Sequence, residues 1–311
     1  MKDRIKPIDV SIISTYMGRS LTAVVAVFVI AVAVSALISR RGVERNVIDV
    51  CVSDGHEIAR SLQVYEPLTI LLSRETRRPV ILHACVDTWV SGHDVYIMPI
   101  DEFFRHGRRL DLEALFEVKH GERDDEAVLI ARDSLGMADC ADVSPSQVAF
   151  STPDSVNRFW VQMSMLSQRG FKGPNSLSDF RFEGSAFDGT RVVFGVLYGQ
   201  YRLGACKRSD IGSLMREGAL RAGEITVLDR ARVLPEVVIA VPSDEQQYYR
   251  RKLSKIGALL DDAAESSGES EIARLLISYG VKAVSPIDPP RIQETRDLFE
   301  QYAYPLKQAF Q

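Results

Sequence analysis

The sequence predicts an α/β protein of two lobes preceded by one N-terminal transmembrane helix. Three observations lead there. Ser20 to Ser39 is a run of twenty residues without a charge. From residue 46 onward, short β-branched runs alternate with amphipathic stretches, the pattern of strand-helix-strand units around a mostly parallel sheet. The chain's 311 residues also exceed the roughly 100–200 of one domain.

A helix rising about 1.5 Å per residue over that uncharged run covers the ~30 Å hydrocarbon core of a bilayer. Arg19 closes it on one side and Arg40 and Arg41 on the other, as at membrane interfaces. Lys2, Arg4, Lys6 and Arg19 precede the span against Arg40, Arg41 and Arg45 after it. That balance favours a cytoplasmic segment at residues 1–19, with residues 20–39 as the span. A cleaved signal peptide ending near Val34-Ser35-Ala36 is the alternative. The nineteen residues before the run, and a run longer than the usual 7–15-residue signal core, favour retention.

Val47 to Val52 reads as the first strand, followed by the turn-prone Ser53-Asp54-Gly55 and a helix continuing through Tyr65 to Leu72. Pro79 to Val86 and Asp94 to Pro99 are the next strands, the latter stopped by a proline that cannot donate to a central ladder. Val143 to Phe150 is read as a connecting strand. Ser151-Thr152-Pro153-Asp154-Ser155 offers helix caps ahead of the helically spaced Phe159, Met163 and Leu166. Val192 to Tyr198 is apolar enough for core, Ile225 to Leu228 is a late strand, and Val237 to Val241 is a return crossing. Beyond Pro242 the chain reads as helical, with Asp261 to Ser270 as a solvated loop. The expected lobes are therefore residues 46–142 with 238–311 returning to them, and residues 146–234.

Composition and motifs narrow the function classes. With 38 Lys+Arg against 42 Asp+Glu, the chain lacks the basic surface that binding to nucleic acid needs. The four cysteines are 34, 55 and 66 residues apart, without zinc-knuckle or CxxC spacing. They read as buried small apolar groups, with a disulfide as the alternative in an oxidising compartment. His56-Glu57 begins an HExxH-like run, but Arg60 stands where the second histidine belongs. His83 and His93 flank Trp89 without the carboxylates of a metal site. No GxSxG, GxxxxGK[ST] or GxGxxG run occurs. Neither an enzyme nor a cofactor is expected.

Tyr65-Glu66-Pro67-Leu68-Thr69, Leu72-Ser73-Arg74-Glu75-Thr76 and Pro79-Val80 resemble the YEPLxxYLxxxTGxPV stretch of solute-binding proteins of phosphonate, phosphite and phosphate ABC transporters. Asp94 to Pro99 is similar to the family's third strand, which runs into its ligand cleft. Gly184-Ser185, Gly199 and Gly204-Ala205 stand where the family has its GSH element and GxVDAG strand. Leu234-Pro235 and the Gly280 to Phe299 tail also resemble it. The resemblance implies a type II periplasmic binding protein fold, with two lobes hinged by crossing strands and an anion held between them. It further implies a periplasmic domain on the bacterial inner membrane, delivering a small oxyanion to a transporter permease or a sensor.

The family grips its ligand with a Ser/Thr-rich loop at the start of a second-lobe helix. Carried onto this chain, the resemblance implies Ser151, Thr152, Ser155 and Asn157 as donors, with Arg158 offsetting Asp154. The first lobe would close the site with Asp54 and His56 and with the strand end from Tyr96 to Asp101. Ser185 would join from the GSH element. The chain departs from the pattern at Ala186, which replaces the GSH histidine, and at Arg202, which replaces the aspartate of GxVDAG. Those departures favour an alternative role, a ligand-free scaffold acting as a structural or interaction subunit of a membrane complex.

Overall fold

The computed structural model describes residues 46–53, 58–85, 90–120, 125–136, 143–153, 155–171, 180–183, 189–265 and 271–303. The strands are β1 (Ile48–Val52), β2 (Val80–Ala84), β3 (Val95–Pro99), β4 (Leu112–His120), β5 (Glu126–Arg132), β6 (Val148–Phe150), β7 (Arg181–Phe182), β8 (Leu203–Lys207), β9 (Ile225–Arg232), β10 (Val237–Pro242) and β11 (Val281–Pro286). They form a six-stranded sheet in the order β11-β4-β10-β3-β1-β2 and a five-stranded sheet in the order β7-β6-β8-β5-β9. The described helices are α1 (Ile58–Thr76), α2 (Ile100–His106), α3 (Val161–Gln168), α4 (Thr190–Leu197), α5 (Arg208–Arg216), α6 (Gln246–Glu265), α7 (Glu271–Ser278) and α8 (Pro289–Leu298). A π-helical turn, Val156–Trp160, leads into α3.

The inner strands β1, β3, β5, β8 and β10 are buried on both sides because they are covered on both faces. Along β1, Ile48, Val50 and Val52 join a core with α1 and α6, while Cys51 faces the other way. Val95 and Ile97 alternate with Tyr96 and Met98 on β3, and Val237 and Ile239 with Val238 and Ala240 on β10. Likewise Ala127, Leu129 and Ala131 of β5 face one core while Val128 and Ile130 face another, shared with Val192, Val193 and Val196 of α4. This period of two leaves one apolar cluster common to both sheets, holding Tyr96, Met98 and Ile100 together with Phe150, Phe159 and Trp160.

Several sequence expectations need correction. The connecting strand expected at Val143 to Phe150 is not where the chain first passes to the second sheet. β5 already pairs with β8 and β9 of the second sheet, so the chain changes sheets between His120 and Glu126, and the first lobe expected through residue 142 ends too late. Of the connecting strand expected from Val143, Val148 to Phe150 is extended. Pro145–Gln147 before it is a 3-10 turn that starts in a Ser144/Gln147 capping box. The sheets are mixed: β1 runs parallel to β2 and β3, but β10 is antiparallel to β3 and β4. The acidic stretch from Asp261 continues α6 as far as Glu265, since one helical face carrying Leu253, Ile256 and Leu260 into the core is enough to hold it. The strand at Val237–Pro242 joins the first sheet between β3 and β4.

The cysteine reading is corrected for two residues. Cys51 and Cys85 form a disulfide with Cα atoms 5.7 Å apart, because β1 and β2 are parallel neighbours and the Cys85 N–H donates to the Val52 carbonyl at 2.9 Å. Cys206 is a free, buried thiol. Ser20 to Ser39 lies outside the described residues, and among those described no helix is long and apolar enough to cross a membrane.

Candidate functional site

The turn after β6 is built on aromatic packing. Phe150 meets Phe159 edge-on at 4.9 Å and Phe180 at 5.0 Å, which seats the π-helical turn on the strand. The Trp160 indole N–H donates to the Pro153 carbonyl at 2.9 Å and fastens the loop to the helix it precedes. A π turn leaves its backbone groups spaced differently from an α-helix, and such turns concentrate at functional sites.

Ser155 stands at the N-cap of this turn, and its hydroxyl donates to Glu236 Oε1 at 3.1 Å. The Asn157 N–H donates to the same oxygen at 3.3 Å, while Lys207 Nζ lies 2.5 Å from Glu236 Oε2. One carboxylate thus receives a hydroxyl, a helix-terminal N–H and an ammonium, the donor set that suits an anion at a helix start. Burial alone would raise the pKa of Glu236. The Lys207 and Arg158 charges, with hydrogen bonds from Lys207 and the Asn157 N–H, outweigh it and pull the group from 4.5 to about 2.

The neighbouring groups are also committed. Asn157 forms a two-bond amide clamp on the segment between β9 and β10, donating to the Leu234 carbonyl at 2.7 Å and accepting from the Leu234 N–H at 2.6 Å. Arg158 pairs with Asp210 at two points, Nε to Oδ2 at 3.1 Å and Nη2 to Oδ1 at 2.9 Å. Burial works against the guanidinium's charge, yet Asp210 raises its pKa. Asp210 also accepts the Lys207 N–H at 2.8 Å. It crowds Gly189 so closely that a Cβ there would run into the carboxylate. Ser151 is 1% exposed and its Oγ has no hydrogen-bond partner. Thr152 supplies its carbonyl to the Ser155 N–H at 3.4 Å.

On the first sheet, Tyr96 is buried. Its hydroxyl donates to the Val90 carbonyl at 2.9 Å and accepts the His93 N–H at 3.3 Å. Asp101, in the first turn of α2, pairs with Arg105 at 2.9 Å. Asp54, His56 and Ser185 lie outside the described residues. The structure therefore brings Ser155, Asn157 and Arg158 into one network with three residues the sequence reading missed, Lys207, Asp210 and Glu236. Glu236 also reaches the first sheet, because its backbone carbonyl accepts the Ile100 N–H at 2.9 Å. It thus stands between the carboxyl ends of β3 and β6, the region where open α/β sheets take their ligands. A surface groove lined by Arg132, Tyr198, Arg221 and Glu224 sits at the opposite end of the second sheet, where Ala131 pairs with Leu203.

Two mixed sheets, with a polar network where their strand ends meet, define a two-sheet α/β binding-protein fold. The chain belongs to the family described as the periplasmic substrate-binding protein of phosphonate ABC transporters, whose model matches residues 96–289. Solved structures share the fold. ATP-bound XAC2383 of Xanthomonas citri is 13% identical, with a TM-score of 0.59 over 83% of this chain and 98% of that one. A binding-protein component of an ABC phosphonate transporter from Pseudomonas aeruginosa is 13% identical, with a TM-score of 0.52 over 82% of this chain and 86% of that one. PhnD1 of Prochlorococcus marinus, solved with methylphosphonate, is 10% identical, with a TM-score of 0.53 over 82% and 98%. No curated protein matches the chain by sequence.

Proposed function

We propose that the chain is an extracytoplasmic solute-binding subunit for a small oxyanion of the phosphonate or phosphate class, feeding an ABC transporter or a sensor. The observation that carries this reading is the start of the helix after β6. There a hydroxyl, a backbone N–H and an ammonium already converge on one carboxylate, and Ser151 stays buried with an unused hydroxyl. Residues 20–39 anchor the domain as an uncleaved helix, with residues 1–19 in the cytoplasm and the rest in the periplasm. The Cys51–Cys85 disulfide suits that oxidising side.

The test is a thermal-shift screen of the full chain against phosphate, phosphite, methylphosphonate and sulfate. A hundredfold excess over Kd stabilises by about 2.7 kcal/mol, hence roughly 5–10 °C at about 2–4 °C per kcal/mol. The shift should vanish in the Thr152→Ala/Ser155→Ala double variant. Protease added to spheroplasts should digest the large domain without lysis.

A second reading, the ligand-free scaffold, draws support from the commitment of Arg158 to Asp210 and of Ser155 to Glu236. It also fits Ala186 and Arg202, which replace the family's histidine and aspartate. Absence of a shift with every oxyanion at millimolar concentration selects it.

A further inference from the structure

We propose that Glu236 is a resident anion: its carboxylate holds the donors an incoming oxyanion needs, so the ligand must displace it, and Glu236 determines which anions the site accepts. The inference rests on the reading of the turn from Ser151 to Arg158 as the ligand site.

Three features support it. The first is the donor set. Oxyanions bind at helix starts through hydroxyls, N–H groups and a nearby cation, and all three types point at the two oxygens of Glu236, from Ser155, Asn157 and Lys207. The second is position. Glu236 follows Pro235 directly ahead of the return strand β10. Its carbonyl is tied to the Ile100 N–H, so the backbone delivers the carboxylate to the meeting of both sheets. The third is charge. With its pKa pulled to about 2, Glu236 stays ionised at any physiological pH, and two negative groups cannot share one donor set without strong repulsion. Ser151, buried and without a partner for its Oγ, is one hydroxyl that Glu236 leaves unused.

An anion therefore binds only to the extent that it outcompetes an attached carboxylate, whose effective concentration is high because its backbone is tied to the Ile100 N–H. Weak monoanions are excluded. A phosphonate or phosphate dianion, with more charge and more acceptor oxygens, competes best.

Isothermal titration of the full chain with phosphate and with methylphosphonate tests this in the native protein and three variants. Glu236→Gln keeps the shape and removes the charge, and it should bind at least tenfold more tightly than the native chain. Adding Lys207→Met to that variant should abolish the gain, because the freed ammonium supplies it. Glu236→Asp keeps a carboxylate for Lys207 but is one methylene too short to serve Ser155 and Asn157 together. It should give an intermediate gain, and it carries the test if the Gln variant fails to fold. Equal or weaker binding by both folded Glu236 variants, against a native chain that binds well, overturns the resident-anion proposal and leaves the solute-binding reading intact. No binding by any folded protein overturns both.

Discussion

Arg158 and Asp210, 52 residues apart, meet in a two-point ion pair, with side chains 4% and 9% exposed. The pair locks the π turn ahead of α3 to the first turn of α5, and so fixes the direction of the helix start that Glu236 occupies. A buried pair of this kind adds little net stability over an apolar replacement, but removal of one member strands the other. Arg158→Met should therefore destabilise the fold by about 3–5 kcal/mol, and Asp210→Asn by a similar amount. The double variant should lose much less than the sum, because neither charge is then left alone. Urea unfolding of the three variants measures this. Additive losses would mean that the two residues act separately.

Glu236 makes a pH prediction with a definite sign. Its folded pKa, about 2 against an ordinary 4.5, is depressed. Its contribution to stability is therefore full above about 4.5 and is lost as pH falls from there towards 2. A shift of that size is worth on the order of 3 kcal/mol. The difference in unfolding free energy between the native chain and Glu236→Gln should be constant from pH 7 to pH 5 and shrink steadily below 4.5. A difference that does not change down to pH 3 would show that Lys207 does not hold the carboxylate.

What the sequence disclosed follows from range. The runs around Val50, Tyr96 and Ile239 announce themselves because these inner strands are buried on both faces and apolar at nearly every position. Those around Ile81 and Val227 are half-exposed edge strands that show through their β-branched residues; all five are strands. β4 was missed because Glu113, Glu117 and Lys119 interrupt its apolar residues. Glu117 is held there by Arg291, which reaches it from α8 at 2.8 Å, by Lys119 at 3.1 Å and by the Ser285 hydroxyl at 3.3 Å; Arg291 and Ser285 lie 174 and 168 residues away. The site divides in the same way. Ser155, Asn157 and Arg158 stand in one local motif and could be nominated from it. Glu236 and Asp210 join them across 79 and 52 residues, and nothing local marks those pairings. The single cue for Glu236 was a carboxylate placed directly ahead of a fully apolar return strand, where charge needs a reason.

The Cys51–Cys85 bond closes a loop of 34 residues that contains α1. On the chain-entropy estimate such a loop contributes about 3–4 kcal/mol. Reduction, or Cys51→Ser with Cys85→Ser, should lower Tm by roughly 6–15 °C at about 2–4 °C per kcal/mol. Cys206 should not complicate the assay, because it is fully buried and burial pushes its thiol pKa well up, which suppresses the reactive thiolate. Calorimetry with and without reductant reads the effect. An unchanged Tm would show that the bridge constrains nothing the fold does not already hold.

Ser151 separates a stability role from a binding role. A buried hydroxyl without a partner costs about 1–3 kcal/mol relative to a satisfied one. Ser151 Oγ is such a group, in a residue 1% exposed at the end of β6. Ser151→Ala removes the unsatisfied atom and leaves a side chain that fits the same space, so the variant should be as stable as the native chain or more stable by up to about 1 kcal/mol. Ser155→Ala should do the opposite, because it takes a donor from Glu236 and costs about 1 kcal/mol or somewhat more, as hydrogen bonds to charged groups do. If the unused hydroxyl is kept for a ligand, Ser151→Ala should also weaken phosphate or methylphosphonate binding by about tenfold, the loss of one hydrogen bond to a charged group. Denaturant unfolding and titration on the same preparation read both quantities. Stability gained with affinity lost marks Ser151 as held for the ligand. Stability lost would mean that the hydroxyl is satisfied in the folded protein after all, and unchanged affinity would remove Ser151 from the site.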